Sequence, residues 1–168
     1  MQEYISYKNI QIAFTVEGKG ETIVLLHGFL ESSTIWKNVV SAFKETHQII
    51  AIDLLGHGKT EKLGYIHSME TMAETVHAVL SELKVEKASI IGHSMGGYVA
   101  LAFAEKFPQQ LEKLVLLNSS TVADSEERKE NRDRAKRLVK QNKQAFISMA
   151  IKNLFTDENR NALRTEIN

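Results

Sequence analysis

ASIIGHSMGG, residues 88–97, is the stretch of sequence from which the fold can be worked out. Residues 88–91 predict a short strand, and a helix is expected to follow from about Gly96. That helix should stop near Phe107, because Pro108 disfavours helical geometry in the residue before it. A sharp strand-to-helix turn is therefore expected at residues 92–96, where the pattern G-x-S-x-G occurs.

This turn predicts that Ser94 is a nucleophile. A sharp turn crowds the neighbouring positions, which explains glycine at 92 and 96. It also lifts the serine hydroxyl to a helix N-terminus, where free backbone N–H groups favour developing negative charge. The alternative is a tight turn whose serine only caps a helix. The strand on one side and the helix on the other favour the nucleophile.

A second loop supports this interpretation. Residues 23–26 form a continuous apolar run, typical of a strand buried on both faces in a parallel sheet, and the sequence HGF follows directly. An oxyanion hole takes one N–H from the residue after the nucleophile and one from this loop. We therefore expect the backbone N–H groups of Phe29 and Met95 to be the donors. Gly28 lets the backbone approach a ligand closely, whereas His27 is expected to be a structural side chain.

The rest of the chain alternates strand and helix patterns. Right-handed crossovers turn that order into a mostly parallel sheet with helices on both faces, which is an α/β fold. The signals are an opening antiparallel hairpin at 4–16, helical stripes at 36–43 and 69–83 with Ser68 as a candidate N-cap, and apolar strands at 49–52 and 111–117.

Composition excludes several classes of function. The chain has 168 residues, with 21 Lys+Arg balancing 21 Asp+Glu, so no electrostatic footprint for nucleic acid or an anionic membrane is expected. It has no cysteine, which excludes disulfides and thiolate metal sites. Neither a signal peptide nor an apolar run of about 18 residues occurs. We expect a soluble, cytoplasmic protein without nucleic-acid or membrane partners.

Four motifs together resemble the α/β-hydrolase family over nearly the whole chain. They are HGF at 27–29, D-x-x-G-x-G at 53–58, GHSMGG at 92–97 and LVLLNS at 114–119. In that family a serine attacks a carbonyl, a histidine takes its proton, and a carboxylate orients the histidine, in the chain order Ser, Asp or Glu, His. The resemblance implies that Ser94 is the nucleophile and that Asp53 and His57 belong to a scaffold turn. It implies no cofactor, and no carboxylate and histidine cluster has the spacing of metal ligands.

The chain departs from the family pattern after the strand at 111–117. The resemblance implies two further strands, followed by the catalytic acid and histidine respectively, and neither strand is found before Asn168. Asn118 stands where some relatives have the acid, and Asp124 is an unconvincing substitute. None of the histidines is a natural general base: four lie in scaffold or surface positions, and one occupies the variable position beside Ser94 and points in a different direction from it. These five are His47, His57, His67, His77 and His93.

We therefore expect a fragment. Residues 1–120 would form the N-terminal part of a hydrolase core, and 121–168 part of a helical cap that stops without a C-cap glycine. The parent protein would hydrolyse small-molecule carboxylic esters or related acyl compounds, and this fragment alone would be inactive. A non-hydrolytic family member, such as a carbon–carbon bond hydrolase or a lyase or synthase, and a non-catalytic binding or assembly module stay open. The strand at 111–117 would become an exposed sheet edge through which the chain self-associates.

Overall fold

The computed structural model describes residues 1–162 and 165 of the chain. The chain forms two compact units, Met1–Thr121 and Val122–Asn168, and each is described separately below. Among the described residues, no helix combines the length and the apolar character needed to cross a membrane.

The first unit contains a six-stranded sheet with the order β1-β2-β4-β3-β5-β6. Strands β1, β2 and β4 pair antiparallel, whereas β4, β3, β5 and β6 pair parallel. The opening hairpin and the mostly parallel sheet expected from the sequence are thus confirmed. The strands are β1 Gln2–Tyr7, β2 Ile10–Glu17, β3 Glu21–Leu26, β4 His47–Ile52, β5 Ala88–His93 and β6 Leu111–Leu117.

Three α-helices accompany this sheet. Helix α1, Lys37–Phe43, continues a short 3-10 helix at Ser33–Trp36. Helix α2 spans Met69–Glu82 and begins at the predicted cap, where the Ser68 hydroxyl accepts a hydrogen bond from a backbone N–H. Helix α3 spans Met95–Lys106 and ends before Phe107, as Pro108 predicts.

Alternate residues of the same strands pack into two separate apolar clusters. Val24 and Ile50 belong to the larger cluster with residues of α2 and α3. Leu25 and Ala51 belong to the smaller one, which contains Trp36 and Val40 of the segment around α1. Successive side chains of a strand point to opposite faces of a sheet. The helices therefore cover both faces, as expected, and hold the carboxyl ends of β3 and β5 in place.

The second unit is helical. Helix α4, Glu126–Gln141, has no buried residue, which agrees with a solvated helix in the charged run. Helix α5 spans Lys143–Lys152 and is capped by the Asn142 side chain, whose oxygen accepts the Ala145 N–H at 3.0 Å. Helix α6 spans Asp157–Ala162 and follows the predicted start at Thr156. The expected stop of this helix lies outside the described residues.

Candidate active site

Ser94 occupies a strained backbone conformation between β5 and α3. Its φ is 51° and its ψ is −113°, a region that residues other than glycine rarely adopt. Three hydrogen bonds hold it there. Its N–H donates to the Leu117 carbonyl at 3.0 Å, and its carbonyl accepts the Gly97 N–H at 3.0 Å and the Ser119 hydroxyl at 2.8 Å. Strain of this kind persists only where the surroundings enforce it, and here the end of β6 and the start of α3 do so.

The glycines around Ser94 allow the close backbone contacts of this turn. A Cβ at Gly92 would lie 2.4 Å from the Gly96 carbonyl oxygen, and a Cβ at Gly96 would lie 2.3 Å from the Leu26 carbonyl oxygen. Both obstacles are backbone atoms, so they cannot rotate away as a side chain could. The start of α3 therefore lies directly against the end of β3, which brings the Ser94 turn and the loop after β3 to the same place.

The loop after β3 makes a tight turn whose corner is Phe29. The Glu31 N–H donates to the Gly28 carbonyl at 3.4 Å, and Leu30 has a φ of 62°. In the part of the chain that the structure describes, the Phe29 N–H donates no hydrogen bond. Met95 begins α3, and the first N–H groups of a helix have no partner within it. The N–H groups of Phe29 and Met95, which the sequence predicts to be oxyanion donors, thus belong to adjoining turns. Neither donates a hydrogen bond within its own turn or helix.

His27 is fully buried, and both of its ring nitrogens are occupied. Nε2 accepts the Leu54 N–H at 3.0 Å, so the proton lies on Nδ1, which donates to the Gly28 carbonyl at 2.7 Å. Burial lowers the pKa of His27, which keeps the ring neutral. This arrangement suits a structural side chain that joins β3 to the turn after β4, and it leaves no nitrogen free for proton transfer.

Asp53 and His57 also make contacts that belong to the scaffold. Asp53 is buried, and its carboxylate accepts the Ser33 N–H at 2.7 Å and the Lys59 N–H at 2.9 Å. His57 Nδ1 lies 3.0 Å from the Leu55 carbonyl oxygen. The Asp53 carboxylate thus fixes two loops, and among the described residues neither side chain has a hydrogen bond to Ser94.

Every histidine has a partner other than Ser94. The partners of His27 and His57 are given above. The others are Thr46 for His47, Leu63 for His67, Gln110 for His77 and Glu31 for His93. Among the described residues, the Ser94 hydroxyl makes no hydrogen bond, and no group of three His, Cys, Asp or Glu residues could hold a metal ion. The described residues thus bring together the Ser94 turn and the two N–H groups expected from the sequence to be oxyanion donors, and no histidine among them bonds to Ser94.

Two residues of this region were missed by the sequence analysis. Ser119 donates to the carbonyl of Ser94, and Glu31 bonds to both Gly28 and His93. The local sequence gives no signal for the contacts of Ser119 with Ser94 and of Glu31 with His93, because these partners lie 25 and 62 residues away along the chain. His93, which the sequence places in the variable position before Ser94, has its Nδ1 3.0 Å from the Glu31 carboxylate.

Known proteins with similar sequence or fold include several enzymes. A solved structure of a thermophilic esterase from Thermogutta terrifontis is 31% identical, with a TM-score of 0.88, and the match covers 99% of this chain and 64% of that one. The soluble epoxide hydrolase of Corynebacterium sp. is 38% identical over 105 residues, 62% of this chain and 37% of that protein. The cis-3-alkyl-4-alkyloxetan-2-one decarboxylase of Shewanella oneidensis is 31% identical over 122 residues, 70% of this chain and 38% of that protein.

The chain thus spans 37% and 38% of the length of these two curated relatives. The family model described as alpha/beta hydrolase fold matches residues 21–162, which include both loops of the site and all strands from β3 to β6. Since this match extends over most of the chain, the chain belongs to the α/β-hydrolase fold family.

Proposed function

We propose that this chain carries the nucleophile and the oxyanion hole of a serine hydrolase that cleaves carboxylic esters or related acyl compounds of small molecules. The observation that carries the proposal is the strained backbone of Ser94, at φ 51°, where β5 turns into α3. Such strain has a cost and is found mainly at functional sites. The likeness to an esterase at 31% identity supports the ester as the substrate class.

In the proposed mechanism the Ser94 hydroxyl oxygen attacks the carbonyl carbon while its proton passes to a base. The carbonyl oxygen gains negative charge and accepts hydrogen bonds from the N–H groups of Phe29 and Met95. The carbon–oxygen bond to the alcohol then breaks, and the alcohol leaves with the proton from the base. Water hydrolyses the acyl-serine by the same steps and releases the acid.

The base and its orienting carboxylate are proposed to come from outside the described residues. Each histidine of the chain has a ring nitrogen bonded to a group other than Ser94, and a serine without a base is a weak nucleophile. We therefore expect this chain by itself to hydrolyse activated esters far more slowly than a typical enzyme rate of about 10 per second. The cytoplasmic location stays a prediction from the sequence.

The nucleophile can be tested with p-nitrophenyl esters of increasing acyl length. In the complete protein that contains this chain, Ser94→Ala should reduce kcat by at least about 10⁴-fold, since the other parts of such a site retain little catalysis alone. Ser41→Ala, on the exposed face of α1, is the matched control and should leave turnover unchanged. Retained activity in a folded Ser94→Ala protein would refute the assignment. Fast turnover by the 168-residue chain would reveal a base among its own histidines.

One relative favours a second candidate, a non-hydrolytic reaction. The Shewanella protein at 31% identity is a decarboxylase of alkyl oxetanones, so the same core can accompany chemistry other than ester hydrolysis. Product analysis in ¹⁸O-labelled water separates the two, because ester hydrolysis places the label in the released acid. A product without the label would favour the second candidate. A non-catalytic binding module would show no effect of Ser94→Ala in either assay.

A further inference from the structure

One carboxylate connects the two loops of the candidate active site. Glu31 Oε2 accepts the Gly28 N–H at 2.6 Å and lies 3.0 Å from His93 Nδ1. A carboxylate is only an acceptor, so His93 must carry its proton on Nδ1 and donate it to Glu31. Both side chains are mostly buried, with 19% of Glu31 and 22% of His93 exposed. Hydrogen bonds to an ionised group are shorter and stronger than neutral ones, and low exposure reduces competition from water.

The partners of this carboxylate are each one residue away from the groups that would act on a substrate. Gly28 precedes Phe29, whose N–H is the proposed oxyanion donor of the first loop. His93 precedes Ser94, the proposed nucleophile of the second. One oxygen atom of Glu31 therefore sets the distance between the two peptide segments that must face the same carbonyl group.

Other contacts leave this carboxylate little freedom to move. The Glu31 backbone N–H closes the turn onto the Gly28 carbonyl, so main chain and side chain both hold Gly28. On the other side, the ring of Trp36 meets the His93 ring edge-on, with a centroid separation of 6.5 Å and an angle of 87°. A Cβ at Gly28 would lie 2.8 Å from Glu31 Oε2 and 3.2 Å from His93 Nδ1, so glycine at 28 leaves room for this contact.

We propose that Glu31 is a positioning residue that holds the oxyanion loop at a fixed distance from the nucleophile turn. It acts through Gly28 and His93 and does not touch the substrate. The inference rests on the proposed function, since an oxyanion hole must be held within a fraction of an ångström of its productive geometry. Loss of the contact should therefore weaken stabilisation of the transition state while leaving the binding of the ground state nearly unchanged.

The test uses three substitutions of Glu31 in the complete protein. Glu31→Gln keeps an acceptor oxygen on a side chain of the same length but removes the negative charge that strengthens the hydrogen bonds. It should retain turnover within about fivefold. Glu31→Ala removes the acceptor and should lower kcat by about 10- to 100-fold, with KM changed by less than about threefold. Glu31→Asp is one methylene shorter and should resemble Ala, which keeps the test valid should Glu31→Ala fail to fold. Glu45→Ala, an exposed carboxylate after α1, is the matched control.

A readout independent of catalysis is the amide resonance of Gly28 in protein labelled with ¹⁵N-glycine. The short bond to Glu31 should place this proton downfield, and it should move upfield in Glu31→Ala and in Glu31→Asp but not in Glu45→Ala. His93→Ala should also move it, because His93 shares the same carboxylate oxygen.

The outcomes separate this inference from the proposed function. An unchanged Gly28 resonance in Glu31→Ala would overturn the contact. A shifted resonance with unchanged kcat, in a protein that Ser94→Ala inactivates, would overturn the positioning role alone. Equal losses in Glu31→Gln and Glu31→Ala would also count against it. Activity retained in Ser94→Ala would overturn the proposed function and, with it, a catalytic role for Glu31.

Discussion

At the scale of single residues, Ser94 carries a cost that its surroundings must offset. A residue other than glycine in such a conformation costs about 1–3 kcal/mol. The hydrogen bonds to Leu117, Gly97 and Ser119 lie on both sides of it, so the strained geometry is retained although it is unfavourable locally. The strain places the hydroxyl at the start of α3, at the expense of stability.

This strain leads to a stability prediction. Ser94→Gly should raise the free energy of unfolding by about 1 kcal/mol, because glycine adopts positive φ without steric cost and loses only part of that gain to its greater chain entropy. Urea denaturation measures the change. Ser94→Ala is the matched control: it also removes the hydroxyl but keeps the Cβ that is strained. If Gly and Ala at this position proved equally stable, the strain would not be a significant energetic term.

His27 provides a second prediction at this scale, for the pH dependence of stability. Burial, as the main cause, lowers the pKa of His27 in the folded protein below its ordinary value near 6.5. Below about pH 6.5 the unfolded chain therefore binds more protons at this residue than the folded chain. The free energy of unfolding should fall as the pH drops from about 6.5 toward the folded pKa, and the full contribution should be present above about 6.5.

The measurement is a series of urea transitions between about pH 5 and pH 8, the range over which a histidine changes its charge. His27→Gln removes the titrating group and should flatten the slope below about pH 6.5, although it also lowers stability overall. His47→Gln, near the surface at the start of β4, is the control for the loss of an imidazole at another position. A slope that survives in His27→Gln would assign the pH dependence to another group.

At the scale of elements, the strand–turn–helix unit of β5 and α3 could be predicted from local sequence. An apolar run, glycines at fixed offsets and a proline beyond the helix each act within a few residues. The amino-acid sequence is therefore enough to locate the strand, the turn and the helix. The same holds for the first hairpin. Its turn residues Lys8 and Asn9 both have positive φ, of 48° and 67°, as a two-residue turn between twisted strands requires.

The contacts that orient these elements could not be predicted in this way. Ser119 and Glu31 act on residues far away along the chain, and nothing in their immediate neighbourhood distinguishes them from other polar residues in loops. Pairing of β3 with β5 and the close approach of Gly96 to Leu26 bring these groups together. The residues proposed to act on a substrate were therefore visible in the sequence, whereas the long-range contacts of Ser119 and Glu31 became visible only in the structure.

At the scale of the whole molecule, the arrangement of strands leaves one long side of β6 without a partner among the described residues. Strand β6 is last in the sheet order and pairs only with β5. Val115 is 46% exposed and Leu117 is 42% exposed, so one face of this strand is also uncovered within that part of the chain. Glu112 and Lys113 near its start are the only charged residues of β6. Natural edge strands are instead protected by charges along their length, proline or bulges.

We therefore predict that the 168-residue chain self-associates through β6. Free N–H and C=O groups along an apolar strand favour pairing with another chain, and the exposed Val115 and Leu117 add apolar surface that such pairing can bury. Sedimentation velocity over a concentration series should show species larger than the monomer.

A pair of substitutions distinguishes self-association through the β6 edge from nonspecific apolar association. Val115→Lys places a charge in the middle of β6 and should shift the population toward the monomer, since a lysine there must be desolvated when a second strand pairs. Ile66→Lys is the matched control, because Ile66 is 78% exposed but lies in the loop before α2. Equal effects of the two substitutions would indicate nonspecific apolar contact. A wild-type chain that stays monomeric at high concentration would show that this edge does not pair, and that twist and side chains of β6 are sufficient protection.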